Sequence, residues 1–151
     1  ATKELIATTG LKKMSMIEIA DVSEVSRATL YNHYRDKESV LLALCESELA
    51  RLVEIAQKAP DATTALEQIS VEISQDKALM AMRAQDPDSL TVALSAQTDT
   101  LWKAFSIAMA HLLGSEKSEL AIRWLIGQAL HPINARQSRL QAEAITGIAN
   151  L

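Results

Sequence analysis

The chain has 151 residues, 48% of them hydrophobic, enough to bury one core or two small ones. Ala, Leu, Ile, Met, Glu and Gln dominate, Gly (4) and Pro (3) are scarce, and no alternating Val/Ile/Thr run lies between turn residues, so an all-α fold is expected and strands are not. One cysteine, Cys45, rules out an internal disulfide framework; no apolar run nears the roughly 18 residues of a membrane span, no signal peptide is visible, and the expected location is cytoplasmic.

In chain order, residues 1–9 read as the tail of a first helix, with Leu5 and Ile6 inward and Gly10 as its stop. Residues 15–37 then read as two short helices with a tight turn, followed by the start of a third. Ser15 and Glu18 have the spacing of a capping box. Ile17, Ile19 and Ala20 supply apolar contacts, residues 21–24 make the turn, and Val25 is expected as a buried plug. Ser26 caps the next helix, about 27–33, which turns Leu30 inward and leaves Arg27, Ala28, Thr29, Asn32 and His33 outward. A short helix with that mix of donors suits the major groove of DNA.

Asp36 caps a long helix to about Lys58, with Pro60 just beyond. Asp61 or Thr63 opens another, striped by Leu66, Ile69 and Ile73. The pattern restarts near 75–76 with Leu79, Met80 and Met82, and stops at Asp86-Pro87. Asp88 or Ser89 caps a long helix to Leu113, carrying Leu90, Leu94, Leu101, Phe105, Ala108 and Leu112, and Gly114 ends it. Residues 115–130 form a helix apolar nearly all round, closed by His131-Pro132. The last helix, about 135–151, carries Leu140, Ala144, Ile145, Ile148 and Leu151.

The net charge of −4 does not announce a nucleic-acid binder. Residues 1–58 hold eight Lys/Arg against nine Asp/Glu. Contact with DNA therefore has to come from a local patch, for which Lys12, Lys13, Arg27, Arg35 and Lys37 are the candidates. By position, Arg27, Ala28 and Asn32 are expected to meet base edges. Ser26, Thr29, Tyr31, His33 and Lys37 are expected to meet phosphate oxygens.

The run IA-x-x-x-x-VS-x-x-TLY-x-HY-x-x-K, from Ile19 to Lys37, resembles the DNA-binding signature of the tetracycline-repressor (TetR) family of bacterial transcription regulators. Gly10 matches the glycine that usually ends that family's first helix. One departure is Glu24, in a turn where the family usually has Gly. ALMAMRAQDPDSL and RWLIGQALHP resemble, less closely, helices of the family's sensor domain. The resemblance implies about nine helices. A three-helix head with its helix-turn-helix spans 1–45, and a ligand-binding and dimerisation domain spans 46–151. It also implies that the 36–58 helix transmits motion between them. Members of that family often carry a basic arm ahead of the point where Ala1 stands, and the loop at 131–137 is the first place to look for a gap in the second domain.

A helix apolar on all sides needs a second covering surface. A partner subunit is expected there, through Leu120, Trp124, Leu125 and Ile148, as a four-helix bundle across a two-fold axis. Burial within the monomer is the alternative. Polar residues set into apolar stripes, Gln97, His111 and Gln128 with Leu101 beside them, are candidates for a pocket holding a small apolar effector. A backbone carbonyl or water could satisfy them equally. No catalytic motif appears, the three histidines lie far apart, and no residues have metal-ligand spacing, so no enzyme, metal or cofactor is expected. The expected function is a ligand-responsive repressor that binds a palindromic double-stranded operator as a homodimer. A DNA-binding architectural or cell-division protein without an effector, and a helical interaction module that has lost DNA binding, are the alternatives.

Overall fold

The computed structural model describes residues 1–95 and 100–148, and among them every regular element is an α-helix. The helices are α1 (Thr2–Thr9), α2 (Met16–Val22), α3 (Arg27–His33), α4 (Lys37–Lys58), α5 (Ala62–Gln75), α6 (Lys77–Gln85), α7 (Pro87–Ser95), α8 (Thr100–Leu113), α9 (Ser115–Leu130) and α10 (Ala135–Thr146). The expected single helix from 88 to 113 corresponds to α7 and α8, and residues 96–99 lie outside the described residues. The chain forms two compact units, Ala1–Glu48 with Lys77–Ala93, and Leu49–Asp76 with Leu94–Leu151. The first unit is therefore discontinuous in sequence and takes in α6 and most of α7, which a single division at 45/46 assigns elsewhere.

The first unit closes around Leu5, Ile6, Met14, Ile19, Ala20, Leu30, Val40 and Ala78. Local chemistry sets its helix starts. Ser15 and Glu18 form the capping box on α2, and Ser26 caps α3 by accepting from the Thr29 N–H at 3.0 Å. Asp36 Oδ1 accepts from the Ser39 N–H at 2.8 Å at the start of α4. Gly10 ends α1 at φ 84°, and the Gln85 amide lies where a side chain on Gly10 would go. Only glycine meets both demands there. Lys3 donates to Glu48 at 2.6 Å, tying α1 to α4, and α6 packs along α1.

Two apolar expectations are corrected. Val25 is 37% exposed and plugs nothing, and Ile17 is 45% exposed. Met14, on the loop before α2, joins Ile19, Ala20 and Leu30 in the core instead, and Tyr34 and Met16 are among the partly buried residues packed against it. A third correction concerns a cap. The start of α7 is held by Asp86, not Asp88 or Ser89: the Ser89 N–H reaches Asp86 Oδ1 at 3.4 Å, and Pro87 occupies the first helical position.

In the second unit α5 lies against α9 and α10, and α8 packs on α9. The core is Leu52, Leu66, Ile69, Phe105, Met109, Ala121, Ile122, Leu125, Ala142 and Ile145 with small residues between. Asp61 caps α5 through the Thr64 N–H at 2.7 Å, and Asn134 with Gln137 makes a capping box on α10. The inward face of α10 is Ser138, Ala142 and Ile145. Leu140, expected inward, is 53% exposed, and Ala144 is exposed as well.

Candidate nucleic-acid interface

One cap and one buried residue present α3. Ser26 fixes its first turn and Leu30, 6% exposed, is its one buried residue. Arg27, Ala28, Thr29, Tyr31, Asn32 and His33 are all exposed. With seven residues and a single inward position, α3 keeps nearly its whole surface for contact. Arg27 makes no hydrogen bond or ion pair among the described residues, so its guanidinium fork is available for a bidentate acceptor. The Ser26 and Thr29 hydroxyls lie 2.8 Å apart and share one hydrogen bond, so the pair still has a proton to offer a phosphate oxygen. The Tyr31 hydroxyl and the His33 ring face outward on the same short helix.

Lys37 has a different setting from the one its position suggests. Its side chain is half-buried, and its ammonium donates to the carbonyls of Leu11 (3.2 Å) and Met14 (3.3 Å). It clamps the α1–α2 loop, the segment that carries Met14 into the core and Ser15 to the start of α2. Lys12 is likewise engaged, 3.2 Å from Asp86 Oδ1. The Asp86 side chain is 2% exposed, and the Ser89 hydroxyl first, then Lys12, hold its carboxyl below the usual carboxylate range. Its Oδ2 has no hydrogen-bond partner. Arg35 donates to Asp36 Oδ2 at 3.1 Å but stays largely exposed. Lys13, Arg27 and Arg35 are thus the cations most open to solvent here.

Sequence reasoning missed the two lysine clamps. Lys37 and the loop it holds are more than twenty residues apart, and no local pattern announces such a pairing. Asp86 was accessible, since an Asp followed by Pro at a helix start is itself a cap signal.

Glu24 occupies the turn between α2 and α3 at φ 56°, the only non-glycine with positive φ among the described residues. A side chain in that left-handed region costs roughly 1–2 kcal/mol. The turn keeps the backbone shape that favours glycine while carrying an exposed carboxylate.

Residues 1–44 match the model of bacterial regulatory proteins of the tetR family. The protein is a DNA-binding transcriptional regulator with a tetR-family head. No curated protein and no solved structure matches the chain. The matched segment of the tetR-family head covers α1 to the first turns of α4, and so contains every residue assigned above to bases or phosphates. No helix among the described residues is long and apolar enough to cross a membrane.

The residues expected around an effector have different settings. Gln97 lies outside the described residues. His111 is exposed and Leu101 half-buried. Gln128, 2% exposed, is met by other side chains of its own unit: Ser70, and more distantly Ser74 at 3.4 Å. Ser70 also bonds Ser138 at 2.6 Å, and its single proton cannot serve both neighbours. With the Gln128 amide turned so that its NH2 donates to Ser70, its oxygen accepts from Trp124 Nε1 at 3.1 Å and every member of the seam is satisfied. An open groove of about 360 Å³ between α8 and α9 is lined by Ser106, Ile107, Ala110, Ser118, Ile122 and Arg123 among others; Leu101, His111 and Gln128 are not in its lining.

The outer face of α9 and α10 mixes apolar with charged side chains, Glu119, Arg123, Arg139 and Glu143 among the latter. Leu120 (37% exposed) and Leu140 (53%) point outward, with Trp124 and Ile148 half-buried. Leu125 is 3% exposed inside the core of its own unit, so it cannot also meet a partner.

Proposed function

We propose that the protein is a homodimeric repressor of the cytoplasm that binds a palindromic operator and releases it when a small apolar effector occupies the second unit, with no catalytic activity, metal or cofactor of its own. The observation that carries the DNA half is α3 itself, capped, anchored by Leu30 alone, and offering Arg27, Ala28 and Asn32 outward inside the matched head. Base edges are the partners for those three, and phosphates for Ser26, Thr29, Tyr31 and His33. The exposed Leu120 and Leu140, with the half-buried Trp124 and Ile148 beside them, support a two-fold interface on α9, α10 and the residues that follow, since two copies of the same patch would cover each other. An effector that used Gln128 would have to replace its bonds to Ser70. A division of labour between a reading head and a sensing, dimerising remainder follows the same proposal.

The test is enrichment of bound duplexes from a random pool, with light scattering of the free protein. A recovered inverted repeat with half-sites about 34–36 Å apart, or a multiple, and a dimer mass are the expected results. A monomer mass together with recovered sites lacking two-fold symmetry refutes the dimeric reading. Failure to enrich any sequence refutes the operator.

A further inference from the structure

We infer that Glu24 acts as a built-in attenuator of DNA affinity, its carboxylate holding down binding to all sequences through repulsion of the phosphate backbone. The inference rests on the DNA-binding reading of the head. Four observations lead to it. Glu24 is the one non-glycine residue at positive φ among the described residues, so its side chain is kept at a conformational cost. Its carboxylate is exposed and has no hydrogen bond or ion pair among those residues. It lies two residues before Ser26, the cap of α3, and therefore within about 7 Å of chain from the start of that helix. Finally, from Met14 to Ser26 the chain carries Glu18, Asp21 and Glu24 and no Lys or Arg.

In a helix-turn-helix the first helix crosses the DNA backbone and the second enters the groove with its N-terminal residues foremost. The turn joining them is then close to phosphate, inside the roughly 8 Å over which charges act at physiological salt. Of the three carboxylates, Glu18 is consumed by the Ser15 capping box, receiving the Ser15 N–H at 2.8 Å. Glu24 is the one next to α3. Non-specific affinity is almost wholly electrostatic, so an uncompensated negative charge there lowers it directly.

Two substitutions separate charge from backbone. Glu24→Gln keeps a side chain at the same φ and removes the charge; Glu24→Gly removes both. Each is measured against wild type by thermal melting and by binding to a random-sequence duplex and to a duplex enriched by the protein, at low and high salt. Both variants are expected to bind both duplexes more tightly at low salt, by about twofold per head and so about fourfold for two heads, with the gain fading at high salt. Only Glu24→Gly is expected to raise Tm, by about 2–4 °C. Unchanged binding by Glu24→Gln overturns the inference. So does a gain confined to Glu24→Gly, which assigns the effect to backbone strain. A loss confined to the enriched duplex overturns it too, because Glu24 would then be reading a base. Wild-type protein that binds neither duplex overturns the DNA-binding reading as well, an outcome plainly different from the other three.

Discussion

Replacing Lys37 by Met distinguishes a clamp from a phosphate contact. Methionine keeps the unbranched stem and removes all three donors. In the wild type the ammonium holds the Leu11 and Met14 carbonyls at 3.2 and 3.3 Å. A hydrogen bond involving a charged group contributes about 1.5–3 kcal/mol. Both contacts are at the long end of the range and the side chain is half-buried, which brings the pair to roughly 1–2 kcal/mol together. For a chain of this size that is a fall in Tm of about 2–8 °C. The loop it frees carries Met14, 2% exposed, and Ser15, so α2 should lose protection from amide exchange along with the melt. DNA binding is then expected to weaken without a change in its salt dependence. A phosphate contact behaves in the opposite way: each one lost removes about 0.9 from the slope of log K against log salt, and Tm hardly moves. A shallower slope with an unchanged melt would refute the clamp.

Arg27→Ala is expected to cost about 1–3 kcal/mol per half-site on an enriched duplex and to relax preference at one base pair; competition between the enriched and a scrambled duplex checks it. Tyr31→Phe should instead weaken both duplexes alike and mildly, seen in the same titration. Asp86 has its carboxyl held low in the folded state, so its contribution to stability is present above the unfolded pKa of about 3.9 and is lost as pH falls through the lower folded value. Asp86→Asn keeps a cap for α7 and should flatten part of the fall in Tm below about pH 4, measured by melts across that window. Leu125→Ala should destabilise the second unit by about 2–5 kcal/mol in denaturant titration, whereas Leu140→Ala should leave that unit's stability nearly unchanged and lower the dimer mass in light scattering.

Helix starts were legible in the sequence because a cap and its target are neighbours in it. Ser15, Ser26, Asp36 and Asp61 each bond a backbone N–H three residues on, so the residue pair itself is the signal. The direction of an apolar stripe was not. Ile17 and Leu140 have apolar side chains at helical spacing, and spacing gives a stripe without saying what covers it; Val25, beside the turn, had only its apolar character to suggest burial. Contacts across sequence were least legible. Asp86 is far from Lys12 in the chain, and only the packing of α6 along α1 brings them together. That packing is also why the first unit is discontinuous. The α6 residues Ala78 and Met82 complete a core whose other members all precede residue 45. For the candidate interface, the outward set on α3 followed from Leu30 being its single large aliphatic residue, while the commitment of Lys37 to the α1–α2 loop could not be foreseen.

In the proposed dimer, α9 would serve two purposes. Its inner positions, Ala121, Ile122, Leu125 and Ala129, are buried by the subunit itself. Its outer stripe places Leu120 and Trp124 one turn apart. A tryptophan at an interface normally brings a polar N–H that must find an acceptor once water is excluded. Here the Trp124 N–H already reaches Gln141 Oε1 on α10 at 2.6 Å, with Gln128 as a second acceptor beneath it. Covering the ring would therefore bury apolar area without stranding a donor, which is the condition for a net gain on association. The same bond ties α9 to α10, so a partner docking on Trp124 would meet two helices held as one surface. Gln141→Leu, which leaves the indole whole and removes the acceptor its N–H reaches, is the variant that separates the two contributions. It should retain the dimer mass while loosening α10, and loss of the dimer instead would mean that the hydrogen bond, not the ring, holds the interface together.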